Sequence, residues 1–186
     1  MDAATALYSC DDHLDLRAVP PDVWESRLPA DLRERGPRVV ERDGQKVWVC
    51  EDRVIGQSGR PKDSAIAKSL SAIGRAGIED DGYRPGTPKL RLEDMDLDGL
   101  AASVIYGPLA LGLPINEPAL QSACYAAWND WAVDEFNAHA PDRLCVLAFL
   151  PNHSPEAAAG ELERCAAAGH RGAILSVFDT DLGDPA

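Results

Sequence analysis

Basic residues are scarce in this sequence. Lysine and arginine together number 18, against 31 aspartates and glutamates, which gives a formal net charge of −13. The acidic residues are spread through patterned segments and are not gathered in a tail. A protein of this charge is repelled by the phosphates of nucleic acids and by anionic lipid headgroups. The composition therefore predicts that neither nucleic acid nor a membrane is a partner.

Paired cysteines and long apolar runs are missing as well. The 5 cysteines are odd in number and show no C-x-x-C spacing, which argues against a disulfide framework and against a cysteine zinc site. No stretch approaches the roughly 18 apolar residues that a membrane helix needs. The chain begins with Met1-Asp2, without the basic and apolar regions of a signal peptide. These absences predict a cytoplasmic protein with reduced thiols.

Three common enzyme motifs are also absent. The sequence contains no G-x-S-x-G nucleophile elbow, no G-x-x-x-x-G-K-[ST] phosphate loop and no G-x-G-x-x-G dinucleotide fingerprint. Serine-based acyl transfer and nucleotide binding therefore lose their usual support. A chain of 186 residues with 45% hydrophobic content is nevertheless sufficient for one globular domain with a real core.

The segments that are present alternate between strand and helix patterns. Strands are predicted at 5–10, 101–106, 144–150 and 171–177, and helices at 91–99, 116–140 and 155–168, with Asn116 and Ser154 as N-caps. Residues 14–89 form a long irregular connection after the first strand, with a hairpin at 38–49 that turns at Asp43-Gly44. This order predicts an α/β fold in which helices link the strands of a parallel sheet.

The end of the first strand carries a candidate metal site. Asp11 and His13 stand two residues apart, so their side chains point the same way, and a carboxylate and an imidazole are usual ligands of zinc or manganese. In a parallel sheet the carboxyl ends of the strands face the ligand. The alternative interpretation is a simple turn, in which Asp11 or Asp12 accepts hydrogen bonds from nearby backbone amides.

Other polar side chains are sorted by their position relative to the strands. Tyr106 ends the second strand at the same mouth and is a candidate for substrate binding, with core packing as the alternative. Trp24 and Arg27 lie in the long connection and could cover a pocket, although tryptophans in such loops often attach the loop to the body of the domain. His153 follows the third strand, whereas the sequence positions of the two other histidines, His139 and His170, are away from the functional face.

Several segments together resemble the amidohydrolase superfamily. These segments are Asp11-Asp12-His13, residues 20–29 (PPDVWESRLP), residues 91–99 (RLEDMDLDG), residues 125–131 (YAAWNDW) and residues 141–144 (PDRL). More narrowly, the chain resembles the amidohydrolase-related branch that contains aminocarboxymuconate-semialdehyde decarboxylase and gamma-resorcylate decarboxylase. The resemblance runs from about residue 8 to residue 186.

The resemblance implies a (β/α)₈ barrel with one divalent metal ion, zinc or manganese, at its mouth. Residues 1–186 would form the N-terminal part of this barrel, about four β/α units, with 14–89 as a lid-like insertion. Family members have H-x-H or E-x-H after the first strand, and Asp11-x-His13 occupies that place, with Asp12 or Asp15 as alternative carboxylates. The remaining ligands and the catalytic residues are then expected beyond residue 186.

The function that the resemblance implies is a metal-dependent reaction on a small molecule. A carboxylate-x-His start favours a nonoxidative carboxy-lyase acting on a small carboxylic acid. The alternatives are a hydrolase of C–N or C–O bonds and a non-catalytic, truncated α/β module. We expect the full-length enzyme to form a homo-oligomer, and the present chain to be an inactive fragment that binds metal poorly.

Overall fold

The computed structural model describes residues 6–59, 78–79, 82–83, 86–108 and 115–175. The strands, in chain order, are β1 (Leu7–His13), β2 (Arg38–Arg42), β3 (Gln45–Cys50), β4 (Arg53–Gln57), β5 (Ile78–Glu79), β6 (Gly82–Tyr83), β7 (Leu100–Tyr106), β8 (Leu144–Val146), β9 (Ala148–Leu150) and β10 (Ala173–Leu175). The α-helices are α1 (Pro88–Asp98), α2 (Pro118–Trp131) and α3 (Pro155–Ala168). Outside the described residues lie 60–77, 80–81 and 84–85 of the predicted long connection, and residues 5 and 176–177 of the predicted strands.

Parallel strands linked by helices form the body of the fold, as predicted. β1, β7 and β8 lie side by side in that order, and β9 pairs with β10, all in parallel. The predicted strand at 144–150 is two strands, because the apolar run changes partners at Leu147, whose amide donates to the carbonyl of Ile105. An apolar run predicts burial, but it carries no information about which neighbour each residue pairs with.

The predicted hairpin is present in the long connection. β2 and β3 pair in antiparallel fashion around Asp43 and Gly44, whose φ angles of 51° and 71° suit the tight turn that Asp-Gly favours. β4 extends this sheet, which the sequence analysis did not predict. The turn between β3 and β4 has Glu51 at φ 52°, a conformation that glutamate seldom adopts, so the sequence gives no ordinary turn signal there.

The predicted helix at 116–140 ends early and begins one residue late. Glu117, not Asn116, is the N-cap, and its carboxylate accepts hydrogen bonds from the amides of Ala119 and Leu120, both at 2.9 Å. These two bonds lower the pKa of Glu117. After α2 the chain continues as a π-helical turn (Ala132–Phe136) and a 3₁₀ turn (Asn137–His139). The buried face of α2 is the predicted one, which includes Leu120, Cys124, Ala127 and Trp131.

The other two helices end where their glycines predict. Gly99 after α1 and Gly169 after α3 have φ angles of 71° and 102°, and their amides close the last helical turn. Ser154 caps α3 by accepting a hydrogen bond from the amide of Ala157 at 3.1 Å, as predicted. Among the described residues, no helix is both long enough and apolar enough to cross a membrane.

Two glycines give opposite predictions for stability. A Cβ at Gly107 would lie 2.6 Å from Cε2 of Phe149 and 2.9 Å from Cζ2 of Trp128, both in the core. Gly107→Ala is therefore expected to cost about 1–3 kcal/mol of unfolding free energy through overpacking. At Gly160, inside α3, a Cβ meets nothing within 4 Å, so Gly160→Ala should stabilise by about 0.5–1 kcal/mol. Urea unfolding of both variants checks this pair, and equal shifts would contradict it.

Candidate metal centre

Asp11 and His13 lie together at the carboxyl end of β1. Oδ1 of Asp11 is 3.3 Å from Nε2 of His13, and both side chains are exposed, at 90% and 55%. The His13 ring stacks on Tyr106 at the end of β7, with 5.8 Å between the ring centroids and 27° between the ring planes. The structure therefore brings together three of the five side chains predicted for the site.

A β-bulge in β1 precedes this pair. Ser9 is opposite Ser103 on β7, and Asp12 is opposite Ile105, so three steps along β1 correspond to two steps along β7. Such an extra residue bends a strand and changes the direction of the side chains near it. The bulge therefore sets the positions of the last residues of β1, which carry the two donors.

Asp12 and Asp15, the alternative carboxylates, are occupied by the protein itself. Asp12 accepts hydrogen bonds from the hydroxyls of Ser9 and Ser103, and it pairs with Arg91 at 3.3 Å. Asp15 caps the 3₁₀ turn that follows β1 by accepting a hydrogen bond from the amide of Arg17 at 3.0 Å. Asp11 is therefore the carboxylate of this segment that remains fully turned to solvent.

The sequence analysis missed Arg91 as a residue of this region. Its side chain is 8% exposed, and its guanidinium donates to the backbone carbonyl of His13 at 2.7 Å as well as to Asp12. Burial lowers the pKa of Arg91, and the carboxylates of Asp12 and Asp94 act in the opposite direction. A usable signal was present in the sequence, since Arg91 stands one helical turn before the buried Met95 and so shares its inward face.

A cavity of about 320 Å³ lies beside His13. Its walls come from the segment after β1, from β4 and from the loop after β7, with the residues His13, Leu14, Asp15, Leu16, Arg17, Ile55, Gly56, Gln57, Gly107 and Pro108. The side chains of Arg17 and Gln57 are hydrogen-bonded to each other across it. The long connection therefore supplies a wall of this cavity through a strand that the sequence did not reveal.

Trp24 and Arg27, predicted as substrate contacts, are not at this cavity. Trp24 has no exposed surface: its indole Nε1 donates to the carbonyl of Cys124 at 3.1 Å, and its ring packs edge-on against Trp48. Arg27 pairs with Glu135 on the π-helical turn. The substrate role of Trp24 is thereby corrected, because a completely buried indole attaches the long connection to the body of the domain.

The three other histidines bond to protein groups elsewhere. Nε2 of His153 lies 2.9 Å from the hydroxyl of Ser122, and Nδ1 of His139 lies 2.7 Å from the carbonyl of Glu135. Nε2 of His170 is 2.9 Å from the carbonyl of Asn129. Within the part of the chain that the structure describes, no group of three or more histidine, cysteine, aspartate or glutamate side chains is arranged to hold a metal ion.

The pair itself fits a divalent metal ion as two of its ligands. Zinc–nitrogen and zinc–oxygen bonds of about 2.0–2.2 Å at a tetrahedral angle put two ligand atoms about 3.4 Å apart. Oδ1 of Asp11 and Nε2 of His13 are 3.3 Å apart without any adjustment. The same distance also suits a direct ion pair when His13 is protonated, so the geometry permits both states.

Comparison with known proteins supports the fold. No protein-family model and no curated protein matches the chain. The structure is similar to amidohydrolase map2389c from Mycobacterium avium subsp. paratuberculosis K-10, with a TM-score of 0.67, 16% sequence identity, and coverage of 93% of this chain and 50% of that one. The predicted resemblance to amidohydrolases is thus confirmed at the level of the fold. The chain spans about half the length of that protein.

Two decarboxylases are more distant in structure. 2,6-Dihydroxybenzoate decarboxylase from Rhizobium has a TM-score of 0.49 and 18% identity over 92% of this chain and 38% of that one. Dihydroxybenzoic acid decarboxylase from Polaromonas sp. JS666, with bound manganese and the inhibitor 2-nitroresorcinol, has a TM-score of 0.49 and 19% identity over the same shares. Similarity of this degree is too low to support an assignment of fold or function.

Proposed function

We propose that Asp11 and His13 are two ligands of a divalent metal ion, zinc or manganese, in a metal-dependent enzyme of the amidohydrolase type. The observation that carries this proposal is the pair itself: two exposed donors, 3.3 Å apart, at the carboxyl end of a parallel strand. Exposed groups keep their lone pairs available, whereas the neighbouring Asp12 uses its oxygens for bonds within the protein.

The proposal includes a partial (β/α)₈ barrel, in which residues 1–186 form the N-terminal part and residues 14–89 an insertion that covers the mouth. The parallel pairing of β1 with β7 and of β7 with β8 supports it, as does the fold similarity to half of an amidohydrolase. The contribution of β4 to the cavity beside His13 supports the covering role of the insertion. Further metal ligands and the catalytic residues would come from outside the described residues.

For the reaction, we propose a nonoxidative carboxy-lyase acting on a small carboxylic acid. Among the described residues that line the cavity, Arg17 is the one lysine or arginine, and its guanidinium provides the positive charge that a substrate carboxylate requires. Tyr106, stacked on His13, would contact the substrate beside the metal. The metal, when bound, supplies Lewis-acid stabilisation of negative charge on a substrate oxygen. Two donors bind a metal weakly, so we expect no turnover from the 186-residue chain alone.

Hydrolysis of a C–N or C–O bond is the second candidate. It is favoured by the fold similarity to a protein named as an amidohydrolase, at a TM-score of 0.67. The same residues of this chain would serve both reactions, because both need a metal beside a substrate oxygen. If the metal test below fails, the chain is better described as a non-catalytic α/β module.

Manganese binding provides the test, with three histidines as internal controls. We expect substoichiometric Mn²⁺ to broaden the imidazole NMR signals of His13 strongly and those of His139, His153 and His170 weakly. The reason is that, among the residues that the structure describes, an exposed carboxylate lies beside the ring of His13, whereas the other three rings bond to a hydroxyl or to backbone carbonyls. Asp11→Asn should weaken this binding roughly tenfold or more, since even partners outside the ligand set control about 10–100-fold in affinity.

The matched control for Asp11→Asn removes the same charge elsewhere. Asp31 is an exposed aspartate away from β1, and Asp31→Asn should leave the broadening of His13 unchanged. Equal broadening of all four histidines would refute the proposed ligand pair. The same effect from both substitutions would indicate a general attraction of Mn²⁺ to an acidic protein, and would also refute it.

A further inference from the structure

We infer that Arg91 is a positioning residue for the Asp11–His13 pair, acting with Asp12 and Ser103; this rests on the metal role proposed above. These three side chains, here named the Asp12 network, bring together β1, α1 and β7. Ser103 is 1% exposed and Arg91 is 7% exposed as whole residues, so the network lies beneath the strand end that carries the pair.

Asp12 holds the strand end through the alternation of side chains along β1. Asp12 lies between the two donors in sequence, and successive side chains of a strand point to opposite faces. After the bulge, the pairing of β1 with β7 is regular from Asp12 to His13. Fixing Asp12 on one face therefore keeps His13 on the other, where its ring lies beside Asp11. Asp12 is fixed by three groups from β1, β7 and α1: the hydroxyls of Ser9 and Ser103 and the guanidinium of Arg91, which also donates to the backbone carbonyl of His13.

Arg91 also holds the backbone of His13. The guanidinium of Arg91 donates to the carbonyl of His13 at 2.7 Å, and the amide of the following residue, Leu14, donates to the carbonyl of Tyr106 at 2.8 Å. The peptide group between His13 and Leu14 is therefore held at both of its polar atoms. This restraint fixes the His13 ring against Tyr106, where its Nε2 lies beside Asp11.

A buried arginine at this position costs free energy. Burying a guanidinium costs desolvation free energy unless charged and hydrogen-bonding partners surround it. An apolar residue would attach α1 to the sheet without this cost. At the other end of the sheet, the partly exposed Arg143 makes a similar link: it donates to the carbonyls of Leu100 and Ala101 and pairs with Asp96 of α1. Arg143 therefore attaches the same helix without touching the metal pair, and it is a matched control.

The experiment compares Arg91→Met with Arg143→Met in the full chain. In Arg91→Met we expect loss of the nuclear Overhauser effect between the ring protons of His13 and Tyr106, and a roughly tenfold weaker broadening of His13 by Mn²⁺, within the range that partners outside the ligand set control. Arg143→Met should retain both signals, even if its melting temperature falls as far as that of Arg91→Met. Ser103→Ala is a milder change to the same network and should also weaken both signals. It replaces Arg91→Met in the test if that variant does not fold.

The two readouts separate this inference from the metal proposal. If Arg91→Met, or Ser103→Ala in its place, retains the His13–Tyr106 Overhauser effect of the unmodified chain, Arg91 does not position the pair and the inference is wrong. Loss of that effect in Arg143→Met as well would also overturn it, because any loosening of the sheet would then suffice. If Mn²⁺ does not select His13 in the unmodified chain, the metal proposal fails, and the Overhauser effect still decides whether Arg91 positions the ring.

Discussion

Trp24→Ala is expected to destabilise the chain by about 3–5 kcal/mol, the range measured when a buried tryptophan or phenylalanine is truncated. The Trp24 side chain is fully buried, and it contacts Trp48 from the hairpin sheet and Trp128 from α2, at centroid distances of 5.1 and 6.0 Å. Its removal leaves a cavity between these elements and removes the hydrogen bond from the indole to the carbonyl of Cys124. The total free energy of unfolding of a domain of this kind is only about 5–15 kcal/mol.

The measurement is urea unfolding followed by circular dichroism, with two companion variants. Trp24→Phe keeps most of the apolar volume and should cost clearly less than alanine. Tyr8→Ala removes an aromatic ring that is 65% exposed, and its effect should stay within about 0.5 kcal/mol. A Trp24→Ala variant as stable as the unmodified chain would show that the long connection is not attached through this indole, and would reopen the role of Trp24 at the surface.

Asn129→Leu is expected to cost about 2–4 kcal/mol, since each buried polar group left without a partner costs roughly 1–3 kcal/mol. Asn129 is fully buried in α2, and its amide pairs with both polar groups of one backbone residue: it donates to the carbonyl of Phe149 at 2.9 Å and accepts from the amide of Phe149 at 2.8 Å. It also donates to Glu161 of α3 at 2.6 Å. Leucine fills a similar volume but satisfies none of these groups.

The control is a substitution of the same kind at an exposed position. Asn116 lies just before α2, where Glu117 rather than Asn116 provides the cap, so Asn116→Leu should change the unfolding free energy by no more than about 0.5 kcal/mol. Thermal and urea unfolding of both variants measure the difference. A cost for Asn129→Leu as small as that for Asn116→Leu would contradict the assigned role of the buried amide.

Asn137 makes the same type of contact with the neighbouring strand. Its side-chain amide donates to the carbonyl of Val146 at 3.3 Å and accepts from the amide of Val146 at 2.9 Å. Val146 and Phe149 stand on either side of the point where the apolar run changes partners. Two asparagines thus occupy backbone groups that a neighbouring strand would otherwise pair with, which is why the break between β8 and β9 leaves these groups satisfied.

Most helix and strand positions could be predicted because they depend on neighbours in sequence. Ser154, Gly99 and Gly169 mark helix ends through hydrogen bonds within a few residues, and Asp43-Gly44 marks a turn for the same reason. One error falls where the deciding contact is distant. The split of the strand at 144–150 depends on pairing with β7 on one side of Leu147 and with β10 on the other.

The sequence by itself predicted that the side chains of Asp11 and His13 point the same way, because the two residues stand two positions apart at a strand end. The structure places their polar atoms 3.3 Å apart. Only the tertiary structure decided which carboxylate stays free. Asp12 is occupied by Arg91 and Ser103, which are 79 and 91 residues away along the chain. The same holds for Trp24, whose indole bonds a carbonyl 100 residues away. The spacing of two residues along a strand predicts which way their side chains point, whereas the burial and the bonding partners of those side chains depend on contacts that only the folded chain creates.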